Sequence, residues 1–280
     1  MTRAEALRAA AGRLRAAGVE GAPDEARRLL DHASDLSRAG LLAAMGEPMP
    51  AAEAERFDAA LARRERREPL SHILGSSGFW TLELKVTRDV LTPRADTETI
   101  VEAALSSLDD RSAPLRVLDI ATGSGAIVLA LLSELANAQA TATDVSGAAL
   151  KVARENAAAH GLGARVTFLE TSWADGIDGP VDLLVSNPPY IASAVLDTLD
   201  PEVRSFEPRL ALDGGADGLD PYPHLFAEAR RLLAPGGTGV FEIGYDQGAA
   251  ALALAREAGF SGAALTQDLA GRDRAVFIRA

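Results

Sequence analysis

Arg116-Val117-Leu118-Asp119-Ile120-Ala121-Thr122-Gly123-Ser124-Gly125 is the stretch whose reading decides the fold. A buried-strand pattern over 116–120 runs straight into a glycine-containing turn, and an apolar helix pattern follows over 126–135. Working outward, short strand patterns recur over 139–143, 165–169, 181–185, 238–243 and 275–279. Helix patterns lie between several of them, over about 146–160, 220–233 and 247–258, with Ser146 placed to cap the first. Strands alternating with helices predict an α/β sheet covered on both faces. Pro235-Gly236-Gly237 reads as a turn. Residues 191–220 show little periodicity and are expected to form an insertion over the carboxyl ends of the strands.

The glycine turn points to a cofactor. Gly123 and Gly125 let the backbone approach a ligand without a Cβ in the way. Asp144 ends the second strand, where a carboxylate can accept two ribose hydroxyls. A dinucleotide fingerprint would carry a third glycine, but position 128 is Val128, and no Gly-Lys-Ser/Thr phosphate loop occurs. Asp119 precedes the turn and can orient it or face a cationic part of the ligand. This favours a nucleoside cofactor without a pyrophosphate, such as S-adenosylmethionine.

A second site feature follows the strand at 181–185: Ser186-Asn187-Pro188-Pro189-Tyr190. Two successive prolines lack donors and fix φ, so the strand must end in a rigid corner. An Asn oxygen and a proline carbonyl are both acceptors, able to receive the two hydrogens of a planar NH2 group. Tyr190 adds a flat face. The bland alternative is a tight structural turn.

The amino-terminal residues differ in character. Helix patterns run over about 3–18, from Pro23, over 36–45, and from Pro50 to Arg67. The charged run Arg63, Arg64, Glu65, Arg66, Arg67, Glu68 reads as a solvated helix face. This small helical domain is either a packing appendage or a partner-recognition module. Leu82, Leu84 and Val86 alternate with polar residues as one arm of a hairpin. Thr97 stands where it can cap a helix from Glu98. Arg94 and Asp96, taken alone, read as loop residues.

The chain has 280 residues, of which 48% are hydrophobic and 24% charged, a composition of globular proteins. The absence of cysteine excludes disulfides, a thiolate nucleophile and thiolate metal sites, and four scattered histidines make no metal-ligand spacing. No apolar signal-peptide core or membrane-spanning run is evident, which predicts a cytoplasmic location with no membrane partner. The net charge is −12; residues 1–75 carry 12 basic and 12 acidic side chains, so the remainder holds the whole excess. An acidic body gives no help in binding a phosphate backbone, so no direct nucleic-acid partner is expected.

Several stretches together carry a resemblance. They are Pro69-Leu70 with Ile73-Leu74-Gly75, Phe79-Trp80, Pro93-Arg94 with Asp96-Thr97-Glu98, and the turn from Asp119 to Gly125. Arg154-Glu155-Asn156-Ala157, Ser186 to Tyr190, Phe206-Glu207-Pro208, Gly214-Gly215 with Asp217-Gly218, and Glu242-Ile243-Gly244 complete the set. On these the chain resembles the bacterial release-factor glutamine methyltransferases, the PrmC/HemK family, over about residues 69–280. The helical front end is similar in size and character.

The resemblance implies a Rossmann-like, seven-stranded class I methyltransferase sheet at 93–280, with an N-terminal helical bundle at 1–69 and a β-hairpin linker at 70–92. It implies methyl transfer from S-adenosylmethionine to the glutamine of the Gly-Gly-Gln loop in class I peptide release factors. The bundle becomes the docking surface, and the enzyme is expected to act as a monomer. Asp119, Ala121, Thr122, Gly123 and Gly125 would wrap the methionine end, Asp144 would take the ribose, and Ser172 and Trp173 would border the adenine. Asn187, Pro188, Pro189 and Tyr190 would form the substrate corner, with Asn187 also next to the cofactor. Arg94, Thr97 and Glu98 would border the site without a chemical step.

The chain departs from the family pattern at Ala121, where glycine is usual, and at Gly78, Thr92, Ala95 and Ser172. These departures bear on affinity more than on reaction class. The rival reading is an adenine-N6 nucleic-acid methyltransferase, because an exocyclic amine also presents two hydrogens to such a corner.

Overall fold

The computed structural model describes residues 1–280. It divides into two compact units: residues 1–75 with 200–206, and residues 76–199 with 207–280.

The first unit is helical: α1 (Arg3–Ala16), α2 (Ala22–Ala33), α3 (Arg38–Ala43), α4 (Ala51–Glu65) and α5 (Leu70–Leu74). Thr2 and Glu5 form a reciprocal capping box that starts α1. Leu14, Leu29, Leu30, Phe57 and Leu61 meet in its apolar core. The charged run expected to be a solvated face is not one. Arg63 pairs with Glu68, and Arg64, only 5% exposed, pairs with Glu25. Glu202, in the short helix Pro201–Phe206, takes both Arg64 and Arg67. Carboxylates brought from distant parts of the chain convert the run into an ion-pair network, which helical spacing alone does not reveal.

The second unit opens with the hairpin β1 (Ser76–Phe79) and β2 (Leu82–Lys85), then α6 (Glu98–Ser106). The sheet follows as β3 (Arg116–Ile120), α7 (Ala126–Glu134), β4 (Gln139–Asp144), α8 (Gly147–Ala159), β5 (Val166–Glu170) and β6 (Val181–Ser186). The inserted helix α9 (Pro201–Phe206) belongs to the helical unit; α10 (Pro221–Leu232), β7 (Leu233–Glu242), α11 (Gly248–Glu257), β8 (Ala264–Gln267) and β9 (Asp273–Arg279) finish the chain. Strand order is β5-β4-β3-β6-β7-β9-β8 in one seven-stranded sheet. All neighbours are parallel except β9, which runs antiparallel to both β7 and β8.

The central strands β3, β6 and β7 are largely apolar because both faces are covered, with Asp119 and Glu242 as buried exceptions. Val117, Leu183 and Val185 join the layer containing α6 and α7, whereas Leu118 and Leu184 join the layer of α10 and α11. This is the α/β sheet that the alternating patterns predict.

Several details differ from the sequence reading. The compact units divide at Gly75 and not at residue 69, and the hairpin read as a linker is part of the second unit. Asn156 on α8 pins it there, accepting from the Lys85 amide at 2.7 Å and donating to the Lys85 carbonyl at 3.1 Å. The strand β8 has no counterpart in the sequence reading because it is four residues long and has no buried position. Pro235-Gly236-Gly237 lies within β7, where the register jumps from Val181↔Leu233 to Leu183↔Thr238. The extra residues bulge out of the strand there.

Candidate active site

The chain proceeds from β3 to β4 and β5 on one side, then returns to place β6 on the other side of β3. That reversal leaves a crevice beyond the strand ends, the usual ligand position in such sheets. Here it is a cavity of about 630 Å³, and Ala121, Thr122, Gly123, Asp144, Ser172, Trp173, Asn187 and Pro189 all stand on its wall. Such a volume is ordinary for a small-molecule site.

The glycine turn is built by left-handed backbone. Ala121, Gly123 and Gly125 have φ of 59°, 56° and 83°. A Cβ on Gly123 would meet no protein atom within 4 Å, so the open side of that residue is free space. Gly125 is different: its Cβ would crowd Leu129 and Ala153 at 3.2 and 3.3 Å, so it serves helix packing behind the wall. Asp119 is fully buried beneath the turn and accepts from the Thr122 hydroxyl at 2.6 Å. Its Oδ1 is sealed without a partner. Burial pushes this carboxyl up to about 7, against the Thr122 and Val128 hydrogen bonds that favour the charged form.

Asp144 stands on the wall, but its two oxygens already hold backbone. Oδ2 accepts from Gly123 N and Oδ1 from Ser146 N, each at 2.9 Å. Burial raises this carboxyl above its usual range, while the amides of Ser146, Gly123 and Val145 oppose the rise. Each oxygen keeps a second lone pair for a ligand hydroxyl. The aspartate therefore shapes the turn as well as facing the cavity. Trp173, at a φ of 48°, stacks on His224 of α10 with ring planes 10° apart. His224 also lines the cavity; no motif singled it out.

The proline corner is held mainly from elsewhere. Asn187 Nδ2 donates to Thr97 Oγ1 at 3.2 Å. Thr97 precedes α6 but makes no cap with its side chain, contrary to the sequence reading. Pro188 is buried, and neither it nor Tyr190 is part of the cavity wall. The Tyr190 hydroxyl donates to Glu242 Oε1 at 3.0 Å. Burial and the Glu242 charge raise the phenol well above its ordinary value. Gln247 Nε2 donates to the Tyr190 carbonyl at 2.9 Å, and a Cβ on Gly218 would lie 2.3 Å from that same oxygen. Only glycine allows that approach.

Arg94 is on the cavity wall and donates to both oxygens of Glu207, at 2.9 and 2.8 Å. Glu98 faces away and accepts from the Trp80 amide at 2.7 Å. The sequence reading gives Glu242 no role beyond its place in a matching stretch. A carboxylate inside the apolar run Val240-Phe241-Glu242-Ile243 is the signal that marks it, since buried carboxylates need partners. Asn156 also reaches the turn, donating to the Ser124 carbonyl at 2.9 Å.

Residues 5–75 match the family model of the PrmC N-terminal domain, and residues 97–200 match that of the methyltransferase small domain. The chain is 46% identical to the release factor glutamine methyltransferase of Cereibacter sphaeroides, over 100% of this chain and 99% of that protein. It is 48% identical to the protein of the same name in Moorella thermoacetica, over 98% and 97% of the two chains. Among solved structures, a methyltransferase from Pyrococcus furiosus aligns with a TM-score of 0.54 at 17% identity, over 78% of this chain and 98% of that one. That likeness concerns the fold alone.

Proposed function

The chain belongs to the release factor glutamine methyltransferase family, and from that premise we propose that it methylates N5 of the glutamine in the Gly-Gly-Gln loop of class I peptide release factors. The observation that carries the reading is a single cavity whose wall includes both the glycine turn with Asp144 and the corner residue Asn187.

S-adenosylmethionine fits the residues present. Gly123 leaves free space where a side chain would stand, and Asp144 presents acceptors for ribose hydroxyls. Ala121, Thr122, Ser172 and Trp173 complete its candidate contacts, with Asp119 supporting the turn from below. When bound, the cofactor supplies an electrophilic methyl group on a sulfonium.

The chain's own residues prepare the acceptor. An amide nitrogen is a poor nucleophile because its lone pair is delocalised into the carbonyl. Asn187 Oδ1 and the Pro188 carbonyl accept its two hydrogens and hold the NH2 group out of conjugation. Pro189 and the double-proline backbone keep these acceptors fixed, which contributes through orientation. Tyr190 closes the corner from behind. Its raised phenol is unsuited to act as a base. The methylated nitrogen is acidic enough to release its proton without a strong base.

The helical unit, read from the sequence as residues 1–69, supplies the docking surface; the second unit, with the hairpin inside the 70–92 segment, carries the chemistry. The enzyme acts as a monomer in the cytoplasm. No helix is long and apolar enough to cross a membrane. The test incubates the full chain with labelled cofactor and purified release factors, beside DNA and RNA, and maps the label by mass spectrometry. Label on the Gly-Gly-Gln glutamine is the expected result. Label on adenine, or on another protein residue, sinks the assignment.

A further inference from the structure

We propose that His224 is a further cofactor-binding residue, and that the edge of its imidazole meets the 6-amino group of the adenine. The inference rests on the placement of S-adenosylmethionine in the cavity described above. Neither a motif nor the resemblance brings His224 into that site.

Strand order decides which end of the cofactor comes here. Asn187 follows β6, the glycine turn follows β3, Asp144 ends β4 and Thr171 follows β5. These strands are neighbours in the order β6-β3-β4-β5 and all run parallel, so their carboxyl ends open on one edge. The methyl group has to lie toward Asn187 and the ribose toward Asp144. The base is attached on the far side of the ribose from the sulfonium, and so is directed toward the end of β5. Ser172 and Trp173 line the cavity there. This segment is tied down. The Thr171 amide donates to the Asp144 carbonyl at 3.1 Å, and Thr143 Oγ1 donates to the Trp173 carbonyl at 2.6 Å.

His224 arrives from another part of the fold, near the start of α10. The neighbouring Tyr222 seats that helix: it is fully buried, and its hydroxyl donates to the Glu242 backbone carbonyl at 3.0 Å. The imidazole stacks on Trp173 with ring centroids 5.7 Å apart and planes 10° apart. Stacking covers faces and leaves edges, and the nitrogens are on the edge. His224 stays exposed on the cavity wall, and neither ring nitrogen has a hydrogen-bond partner within the chain. Its plane is therefore held while its tautomer is free. A neutral imidazole has one donor and one acceptor nitrogen, and the bond made by one sets the state of the other. One nitrogen can accept from an amino hydrogen while the other donates to water.

The rival role is a shield for the Trp173 ring. A shield acts on every ligand alike, whereas a hydrogen bond acts only on a ligand that carries the amine. The test measures Kd by calorimetry for S-adenosylhomocysteine and for its analogue with hydrogen in place of the 6-amino group. It compares the full wild-type chain with His224→Phe, which keeps a flat ring on Trp173 and removes both nitrogens. Wild type should bind S-adenosylhomocysteine about 3–10-fold more tightly than the analogue, the effect of one neutral hydrogen bond. His224→Phe should lose about that factor for S-adenosylhomocysteine only, so that the two ligands bind alike within about 2-fold. The position is exposed, so the variant's Tm without ligand should match wild type. A wild type without preference for the amine, a variant that keeps the preference, or a variant that weakens both ligands equally overturns the inference and leaves the cofactor site in place. A wild type that binds neither ligand removes the reading beneath it.

Discussion

Two loops leave the sheet side by side. Ile120 of β3 pairs with Ser186 of β6, so Ala121 and Asn187 start from the same level on neighbouring strands. They are built by different means. The turn after β3 is made of backbone: three residues with left-handed φ, one of which, Gly123, donates its amide to the nearby Asp144. The corner after β6 is made of prolines and is held by side chains from far along the chain, Thr97, Glu242 and Gln247. Backbone turns leave room for a ligand; a corner fixed by remote side chains aims a functional group. The first loop should therefore govern affinity and the second turnover.

Asn187→Ala is the strongest way to break that division. It removes an oriented acceptor from the corner and leaves the turn untouched. Turnover should fall by about 10²–10³-fold, the usual effect of losing one preorganised polar contact at a reacting centre. Cofactor Kd by calorimetry should hardly change. Equal loss of both would mean that Asn187 supports the fold of the whole crevice.

Asp144→Ala tests the other loop. The carboxylate accepts two backbone amides as well as facing the cavity. Cofactor binding should weaken by about 10–100-fold, from charge-assisted hydrogen bonds of roughly 1.5–3 kcal/mol. Turnover at saturating cofactor should be nearly retained. Unchanged affinity in titration would remove Asp144 from the cofactor site.

Asp119 beneath the turn adds a pH dependence. Its carboxyl is raised from 3.8 to about 7 by burial, so the folded chain holds this proton more tightly than the unfolded chain. Its contribution to stability is full below the unfolded value and is lost as pH rises through the folded one. Above that range wild type carries a buried charge that Asp119→Asn lacks. Relative to wild type, the variant's Tm should therefore be higher at about pH 8 than at about pH 5.5, measured on cofactor-free protein. A Tm difference that does not move with pH would mean the carboxyl stays ionised throughout.

The contrast also explains what was legible in the sequence. Backbone devices announce themselves locally. Gly123, Gly125, Pro188 and Pro189 restrict or release φ at their own positions, so the turn and the corner could both be read from short stretches. Side-chain networks do not. Thr97 sits before a helix, where threonine ordinarily caps, and only the fold brings it to Asn187, 90 residues away. Asn156 looks like any polar residue on a helix until the hairpin and the Ser124 carbonyl are placed around it. The charged run from Arg63 fails for the same reason, because Glu202 arrives from an insertion 138 residues beyond Arg64. The short strand β8 carries too little pattern to be seen at all.

Ala121 gives the smallest effect and the finest test of the backbone loop. It holds a φ of 59° where a glycine would be at ease. Left-handed backbone costs an alanine about 1–2 kcal/mol. Glycine would relieve that, but its freer unfolded chain takes back about 0.4–1 kcal/mol. Ala121→Gly should therefore stabilise the protein by about 1 kcal/mol or less, a rise of up to about 4 °C in Tm. Ala121 also stands on the cavity wall, so cofactor affinity should stay level or improve when its methyl is removed. Gly123→Ala is the mirror experiment. The added Cβ meets no protein atom within 4 Å but enters the left-handed region at a φ of 56°. Stability should fall by about 1 kcal/mol, backbone strain less the gain from a stiffer unfolded chain, and cofactor affinity should fall with it as the free space is filled. A loss of stability in Ala121→Gly would show that the methyl packs well enough to outweigh its strain, and the turn would then owe its shape to side chains as much as the corner does.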